Sequence, residues 1–351
     1  MNLKLNKLKN FNGRKGPLLF IIMDGVGIGK EYEGNAVYKA NTPTLDKLFA
    51  SKFYTQLKAH GTAVGLPSDE DMGNSEVGHN AIGAGRIFAQ GAKLVNKAFD
   101  TENIFETDTW KNVTDKGRKG GTVHFIGLLS DGNVHSHIKH LFALLDRCEK
   151  ENIEKVRVHI LLDGRDVPGK SALNYVNPLE EKLKDISNKN SFDYKIASGG
   201  GRMIVTMDRY NADWSIVERG WKAHVRGIGR KFRTASEAIN TFYNEDKNII
   251  DQYLDSFVIV DDNQQPVGKI KDGDSVVFFN FRGDRAIEIS KAFEDDEFNY
   301  FDRVERPNVY YAGMMQYDGD TLVPKNFLVQ PPKIDRTISA YLCAEGVTSF
   351  A

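Results

Sequence analysis

Apolar residues along this chain gather in short continuous runs, and each run is cut off by glycine together with charged or hydroxyl-bearing residues. Runs of this length, bounded by turn signals, mark strands buried on both faces, as in parallel sheets. Residues 18–23 form the first and stop at Asp24-Gly25-Val26-Gly27. Further on, 122–129 ends in Ser130-Asp131-Gly132-Asn133-Val134-His135, and 156–162 ends in Asp163-Gly164-Arg165-Asp166. Segment 194–197 runs into Ser198-Gly199-Gly200-Gly201-Arg202, and 275–279 into Asn280-Phe281-Arg282-Gly283-Asp284-Arg285. Helical stretches separate them, so the pattern predicts βαβ units and a mostly parallel sheet of the α/β class. Strand tips of such a sheet share one edge, where open α/β sheets build their sites.

Punctuation places the remaining elements. Thr42-Pro43 reads as a helix start that returns the chain across a first sheet to 54–59. Gly83 and Gly85 break whatever helix follows residue 75. A helical stretch over 203–221 carries Asp208-Arg209-Tyr210 and can bring Arg209 to the strand tips, while Trp214 and Trp221 read as packing residues. Helices are also predicted over 235–245 and 338–344. At 351 residues the chain exceeds the usual reach of one core. Three segments are expected: 1–89, an inserted 90–325, and a return over 326–351.

Charge narrows the partners. Lys+Arg of 47 against Asp+Glu of 48 leaves a formal net charge of -1, so no global field favours nucleic acid or an anionic membrane. The two cysteines, Cys148 and Cys343, rule out a disulfide framework and fit a reducing, cytoplasmic address. Without an apolar run long enough to span a bilayer, no membrane role is expected. Anion recognition must therefore be local, and His135, Arg165, Arg202, Arg282 and Arg285 supply it at the tips. A single arginine there would ordinarily pair with Asp163, Asp166 or Asp284. Four cationic tips on one edge instead fit a small substrate with two anionic groups, because guanidinium forks match carboxylate and phosphate.

Candidate chemistry lies in Met72-Gly73-Asn74-Ser75-Glu76-Val77-Gly78-His79-Asn80. A serine between a glycine turn and a helix start can be an exposed nucleophile, or it can simply cap the helix. Its spacing misses the G-x-S-x-G elbow by one residue, which argues against an esterase triad. The glycines after Asp24 lack the final position of G-x-G-x-x-G, and an aspartate at the strand tip would repel a pyrophosphate, so no nucleotide is expected.

Taken in order, these strings resemble the cofactor-independent (2,3-bisphosphoglycerate-independent) phosphoglycerate mutases of the plant and trypanosomatid type, in the alkaline phosphatase superfamily. The resemblance is carried by Met23-Asp24-Gly25-Val26-Gly27, Asp71-Met-Gly-Asn-Ser-Glu-Val-Gly-His-Asn80, Leu129-Ser-Asp-Gly-Asn-Val-His-Ser136, Asp163-Gly-Arg-Asp-Val-Pro168, Ser198-Gly-Gly-Gly-Arg202, Met207-Asp-Arg-Tyr210 and Asn280-Phe-Arg-Gly-Asp-Arg285. It implies an alkaline-phosphatase-like domain, incomplete here, interrupted by an inserted α/β phosphotransferase domain. By the same resemblance Ser75 is the residue phosphorylated by substrate, and Asp24 and Ser75 are metal positions. His135, Arg165, Asp166, Arg202, Arg209, Arg282 and Arg285 are the substrate-binding positions. The implied activity interconverts 3- and 2-phosphoglycerate in glycolysis, with two manganese or magnesium ions, no 2,3-bisphosphoglycerate, no nucleic acid or membrane partner, and a monomeric chain. Closure of the domains over the substrate is expected to exclude water. Family members are longer, and the remaining metal ligands belong to the part C-terminal to this sequence; the 351 residues alone are expected to be inactive or nearly so. Alternative readings are a metal-dependent phosphatase or phosphopentomutase of the same superfamily, or a non-catalytic module that binds phosphoglycerate.

Overall fold

A computed structural model describes residues 3–6, 8–13 and 15–350. The chain divides into two compact units, one of residues 1–88 with 333–351 and the other of residues 89–332. Among the described residues no helix is long and apolar enough to cross a membrane.

The first unit begins with helices α1 (Ala36–Lys39), α2 (Pro43–Phe49) and α3 (Ser75–Ala84). Pro43 opens α2 and Gly85, at φ 62°, closes α3. A small core of Val64, Leu66 and Val77 packs under α3. The two chain segments of this unit are tied together where Arg86 Nη2 donates to Asp335 Oδ1 at 2.6 Å.

The strand expected over 18–23 is not formed. Leu18 and Leu19 are 90% and 80% exposed, and the segment carries no ladder. An apolar run becomes a strand only where a neighbouring strand takes up its N–H and C=O groups. Among the described residues of this unit none does, and 54–59 is likewise exposed coil.

The second unit is built on one eight-stranded sheet: β1 (Val123–Leu129), β2 (Lys155–Leu162), β3 (Asp193–Gly201), β4 (Arg230–Phe232), β5 (Phe257–Ile259), β6 (Ser275–Phe278), β7 (Tyr310–Met315) and β8 (Phe327–Val329). Their spatial order is β4-β5-β3-β2-β1-β6-β7-β8. Every pairing is parallel except β3 with β5. Helices α4 (Gly91–Asp100), α5 (Asp108–Arg118), α6 (Ile138–Lys150), α7 (Ala172–Asn190) and α9 (Ala235–Glu245) cover one face. Helices α8 (Trp214–His224) and α10 (Ile287–Glu294) cover the other. Back in the first unit, α11 (Ile338–Ala344) packs on α3.

Burial on both faces explains the continuous apolar runs. Val123, Phe125 and Leu129 of β1 join one core, and Ile126 and Leu128 the other. Neighbours β3, β2, β1 and β6 end side by side, and the order reverses at β1, which puts a topological switch point between the tips of β1 and β6.

Two expectations change. Strand β3 does not stop at 197 but continues through the glycines to Gly201. A Cβ on Gly199 would meet the Phe257 ring at 2.6 Å and Ile160 Cγ1 at 2.7 Å, so this glycine serves close packing within the sheet. The predicted helix over 203–221 begins only at Trp214; before it the chain loops through Thr206, Tyr210 and Asn211, all at positive φ.

One polar line crosses this apolar interior. His124 Nε2 lies 3.2 Å from Asp274 Oδ2, His124 Nδ1 2.9 Å from His159 Nε2, and His159 Nδ1 2.7 Å from Ser198 Oγ. Ser198 Oγ lies 2.7 Å from His224 Nδ1, and His224 Nε2 2.9 Å from Thr206 Oγ1. With Asp274 ionised, one proton arrangement completes all five bonds: Thr206 donates to His224, His224 to Ser198, Ser198 to His159, His159 to His124 and His124 to Asp274. All three rings are neutral, because burial pulls each pKa below the ordinary histidine value, that of His224 to about 3.

A histidine held neutral in the fold but free to protonate when unfolded stabilises the fold above about pH 6.5 and loses that contribution as pH falls, by about 2 kcal/mol at pH 5 for a pKa near 3. Glu288 and Glu294, raised by burial to about 7, act in the opposite sense over the same window. The His224 share is isolated by difference. In urea titrations, His224→Gln should be less stable than the parent chain at pH 7, and that gap should shrink by about 2 kcal/mol at pH 5. A gap independent of pH would show that His224 is not held neutral.

Candidate functional site

Four loops leave the adjacent tips of β1, β2, β3 and β6, and their polar side chains converge. Asp163, at the end of β2 and 3% exposed, is the hub. Its Oδ1 accepts from the backbone N–H groups of Arg165 (3.2 Å) and Asp166 (3.1 Å), an Asx turn that shapes the loop. The same oxygen accepts from Arg202 Nη1 at 2.7 Å, and Oδ2 accepts from Ser130 Oγ at 2.6 Å. Arg202 Nη1 also reaches Asp166 Oδ2 at 2.5 Å. The loops after β1, β2 and β3 are thus locked to one carboxylate.

A second aspartate organises the other side. Asp284 Oδ2 accepts from Arg209 Nη1 at 3.2 Å, and its Oδ1 lies 3.2 Å from Arg282 Nε and 3.7 Å from His135 Nδ1. The His135 carbonyl accepts from Phe281 N at 2.8 Å, which joins the loops after β1 and β6 across the switch point. Arg285 Nη1 donates to the Met207 carbonyl at 2.6 Å. Arg165 is exposed at the rim.

Five arginines therefore stand with three aspartates, and the surplus positive charge is felt. Burial, then Arg209 and Arg202, press the Arg285 pKa down to about 10. Burial, then Arg202, Arg282, Arg285 and Arg209, hold His135 well below its ordinary value, so its ring is neutral at pH 7. His135 Nδ1 and Arg202 Nε are buried without a hydrogen-bond partner, polar atoms a ligand oxygen would satisfy.

In the first unit the Asn74 side chain caps α3 through Val77 N at 3.2 Å, so Ser75 is the first helical residue and its hydroxyl is not the cap. Ser75 is exposed, and its Oγ donates to Asp24 Oδ2 at 2.9 Å. His79 Nδ1, one turn on, lies 3.2 Å from the same Oγ and 2.8 Å from the Ser75 carbonyl. Gly73 is required here: a Cβ would sit 1.9 Å from the Ala59 carbonyl oxygen. Asp24 and Ser75 offer hard oxygen donors that fit two positions on a divalent cation. Among the described residues no group of three or more His, Cys, Asp or Glu is placed to hold a metal ion, so Asp24 and Ser75 fit part of a coordination shell.

Every residue singled out in the sequence thus falls into one of two clusters: Asp24 with Ser75, and His135, Arg165, Asp166, Arg202, Arg209, Arg282 and Arg285 at the sheet edge. Missing from that reading were His79, signalled by its i,i+4 spacing from Ser75, and the organising roles of Asp163, Asp284 and Ser130. In D-G-R-D the aspartate stands two and three residues before the N–H groups it binds, the signal for an Asx turn.

An α/β domain with an arginine-lined switch point, joined in sequence to a unit with a helix-start serine, presents the donor groups that phosphate and carboxylate pair with. A family model described as "BPG-independent PGAM N-terminus" matches residues 95–319, and the chain belongs to that family. A probable 2,3-bisphosphoglycerate-independent phosphoglycerate mutase of Leptospira interrogans is 56% identical over 352 residues, covering 99% of this chain and 64% of that protein. The corresponding enzyme of Trypanosoma brucei brucei is 52% identical, covering 100% of this chain and 64% of its own length. A crystal structure of Leishmania mexicana phosphoglycerate mutase at low cobalt concentration superposes with a TM-score of 0.89 at 51% identity, over 93% of this chain and 59% of that one. The chain thus spans about 64% of the length of these first two relatives.

Asp163→Ala removes the acceptor of four donors and leaves Arg202 buried with one carboxylate partner. We expect a loss of about 3 kcal/mol in urea unfolding, the cost typical of breaking a buried ion pair. A loss under 1 kcal/mol would show that Asp163 does not hold these loops together.

Proposed function

We propose that this chain carries the nucleophile and the substrate cradle of a 2,3-bisphosphoglycerate-independent phosphoglycerate mutase, which interconverts 3- and 2-phosphoglycerate in the cytoplasm. The observation that carries the reading is the convergence of His135 with Arg165, Arg202, Arg209, Arg282 and Arg285 around buried Asp163 and partly buried Asp284. Such a cradle suits a small ligand bearing both a carboxylate and a phosphate. Relatives 50–56% identical that are named as this mutase support it over a phosphatase or a phosphopentomutase. In this reading residues 89–332 hold the glycerate, and the unit of 1–88 with 333–351 supplies Ser75 and Asp24.

The residues have distinct tasks. Arginine forks hold carboxylate and phosphate and offset the charge of the transferring phosphoryl group. Asp24, accepting from the Ser75 hydroxyl, orients that oxygen for attack. As the Oγ–P bond forms, the bond from phosphorus to the glycerate oxygen breaks. The glycerate stays bound, and its other hydroxyl takes the phosphoryl group back from Ser75. Asp166 and the neutral ring of His135 can hold those hydroxyls or carry their protons. A divalent cation on Asp24 and Ser75, manganese or magnesium, would lower the pKa of the serine hydroxyl and neutralise phosphoryl charge.

Calorimetric titration of the chain with 3-phosphoglycerate in metal chelator tests the cradle: binding should weaken about thirtyfold in Arg282→Ala, the loss of one charged hydrogen bond. In a chain completed to the length of its relatives, mass spectrometry with Mn²⁺ and substrate should place phosphate on Ser75 and on no residue of Ser75→Ala. A parent chain that binds no phosphoglycerate would overturn the reading.

A further inference from the structure

Thr206 is fully buried and held at φ 71°, a conformation that is strained for a β-branched residue. Such a residue persists only where its surroundings over-determine it, and α8 does so. Thr206 N donates to the Ile216 carbonyl at 2.8 Å. Thr206 Oγ1 donates to His224 Nε2 at 2.9 Å, the donor end of the polar line through the sheet. One residue earlier but one, the Ile204 carbonyl accepts from Arg219 Nε at 2.7 Å.

The helix makes room for this turn at its own expense. Gly220 lies inside α8, where glycine costs about 1 kcal/mol relative to alanine. A Cβ there would stand 2.1 Å from Thr206 Oγ1 and 3.0 Å from Thr206 N. Ile216, Gly220 and His224 follow one another at i,i+4 spacing, so one stripe of α8 is given over to gripping a single strained residue.

What the grip controls lies immediately downstream. The carbonyl of Met207 accepts from Arg285 Nη1, and Arg209, two residues on, reaches Asp284. The loop is closed on its far side by Asp208 Oδ2, which accepts from Asp213 N at 2.6 Å, and by Glu288 Oε1, which accepts from Asn211 N at 2.9 Å. We infer that Thr206, clamped by Gly220 and His224 of α8, is a positioning residue: its left-handed turn aims the Met207 carbonyl at Arg285 and delivers Arg209 to the same cradle. Thr206, Gly220 and His224 are all buried.

Arginine reactivity in the full chain reads this directly. Thr206→Gly accepts φ 71° without strain but loses the hydroxyl and frees the turn, whereas Thr206→Ser keeps the hydroxyl. Phenylglyoxal labelling mapped by mass spectrometry should be several-fold faster at Arg285 and Arg209 in Thr206→Gly and near the parent rate in Thr206→Ser. Arg118 and Arg230, paired with Glu151 and Glu245 elsewhere on the unit, should be unchanged in both. A loss of stability alone would move all four alike, and a parent-like rate at Arg285 in Thr206→Gly would overturn the inference. Affinity for 3-phosphoglycerate should fall about tenfold in Thr206→Gly and return in Thr206→Ser, as for a misplaced binding group. This last arm rests on the phosphoglycerate reading. A parent chain that binds none, while Arg285 still responds to position 206, sinks that reading and leaves the positioning role standing.

Discussion

Like charges must be held together against their own repulsion, and the rest of the second unit depends on how this is done. Guanidinium groups from three loops would separate if left to themselves. Two carboxylates prevent it, buried Asp163 at the tip of β2 and partly buried Asp284 in the loop after β6. Asp163 answers Arg202 and two backbone N–H groups, and Asp284 answers Arg209 and Arg282. Neutralising every arginine would leave nothing for an anion to bind. Arg285 escapes that outcome because its observed partner at Met207 is a carbonyl, which orients a guanidinium without cancelling its charge. Burial and the neighbouring Arg209 and Arg202 press its pKa down to about 10.

The two readings of the arginines that the sequence allowed are therefore compatible. Pairing with Asp163, Asp166 and Asp284, the ordinary fate of a loop arginine, is what builds the anion cradle. Hydrophobic pattern sufficed to find the cradle's framework, because β1, β2 and β6 are buried on both faces and their apolar runs stop where the strands stop. It failed at β3, where glycine was a false break signal, and at residues 203–213, where turns at Thr206, Tyr210 and Asn211 replace the start of the expected helix. Glycine signals a break when nothing fills the space it leaves. In β3 the Phe257 ring and Ile160 fill it, and inside α8 Thr206 does. The neighbours that decide between the two meanings are distant in sequence, so no local pattern could distinguish them.

Residues 18–23 show the converse. Their apolar character is as strong as that of β1, yet they lie exposed, because strand formation belongs to a pair and not to a segment. The Ser75 turn, in contrast, was readable from local chemistry alone. Gly73 permits a close backbone approach, Asn74 takes the capping role, and the serine is left with its hydroxyl free to meet Asp24. Only His79 needed the helix itself to become visible, since i and i+4 meet only once the turn is wound.

Parallel strands of continuous apolar sequence carry a further ambiguity: sliding one by two residues keeps every side chain on its face and keeps the core apolar. Hydrophobic burial alone barely separates such registers. The line from Asp274 through His124, His159 and Ser198 does, because a two-residue slip of β1 on β2, or of β2 on β3, would leave at least two buried ring nitrogens or hydroxyls unpaired, at about 1–3 kcal/mol each. The irregularity in register between Val158 and His159 falls where β2 must bring His159 opposite Ser198. Since the line ends on Thr206, the interaction that selects the strand register also fixes the turn that leads into the cradle. The same register that seats the apolar side chains therefore brings the arginine-bearing tips to their common edge.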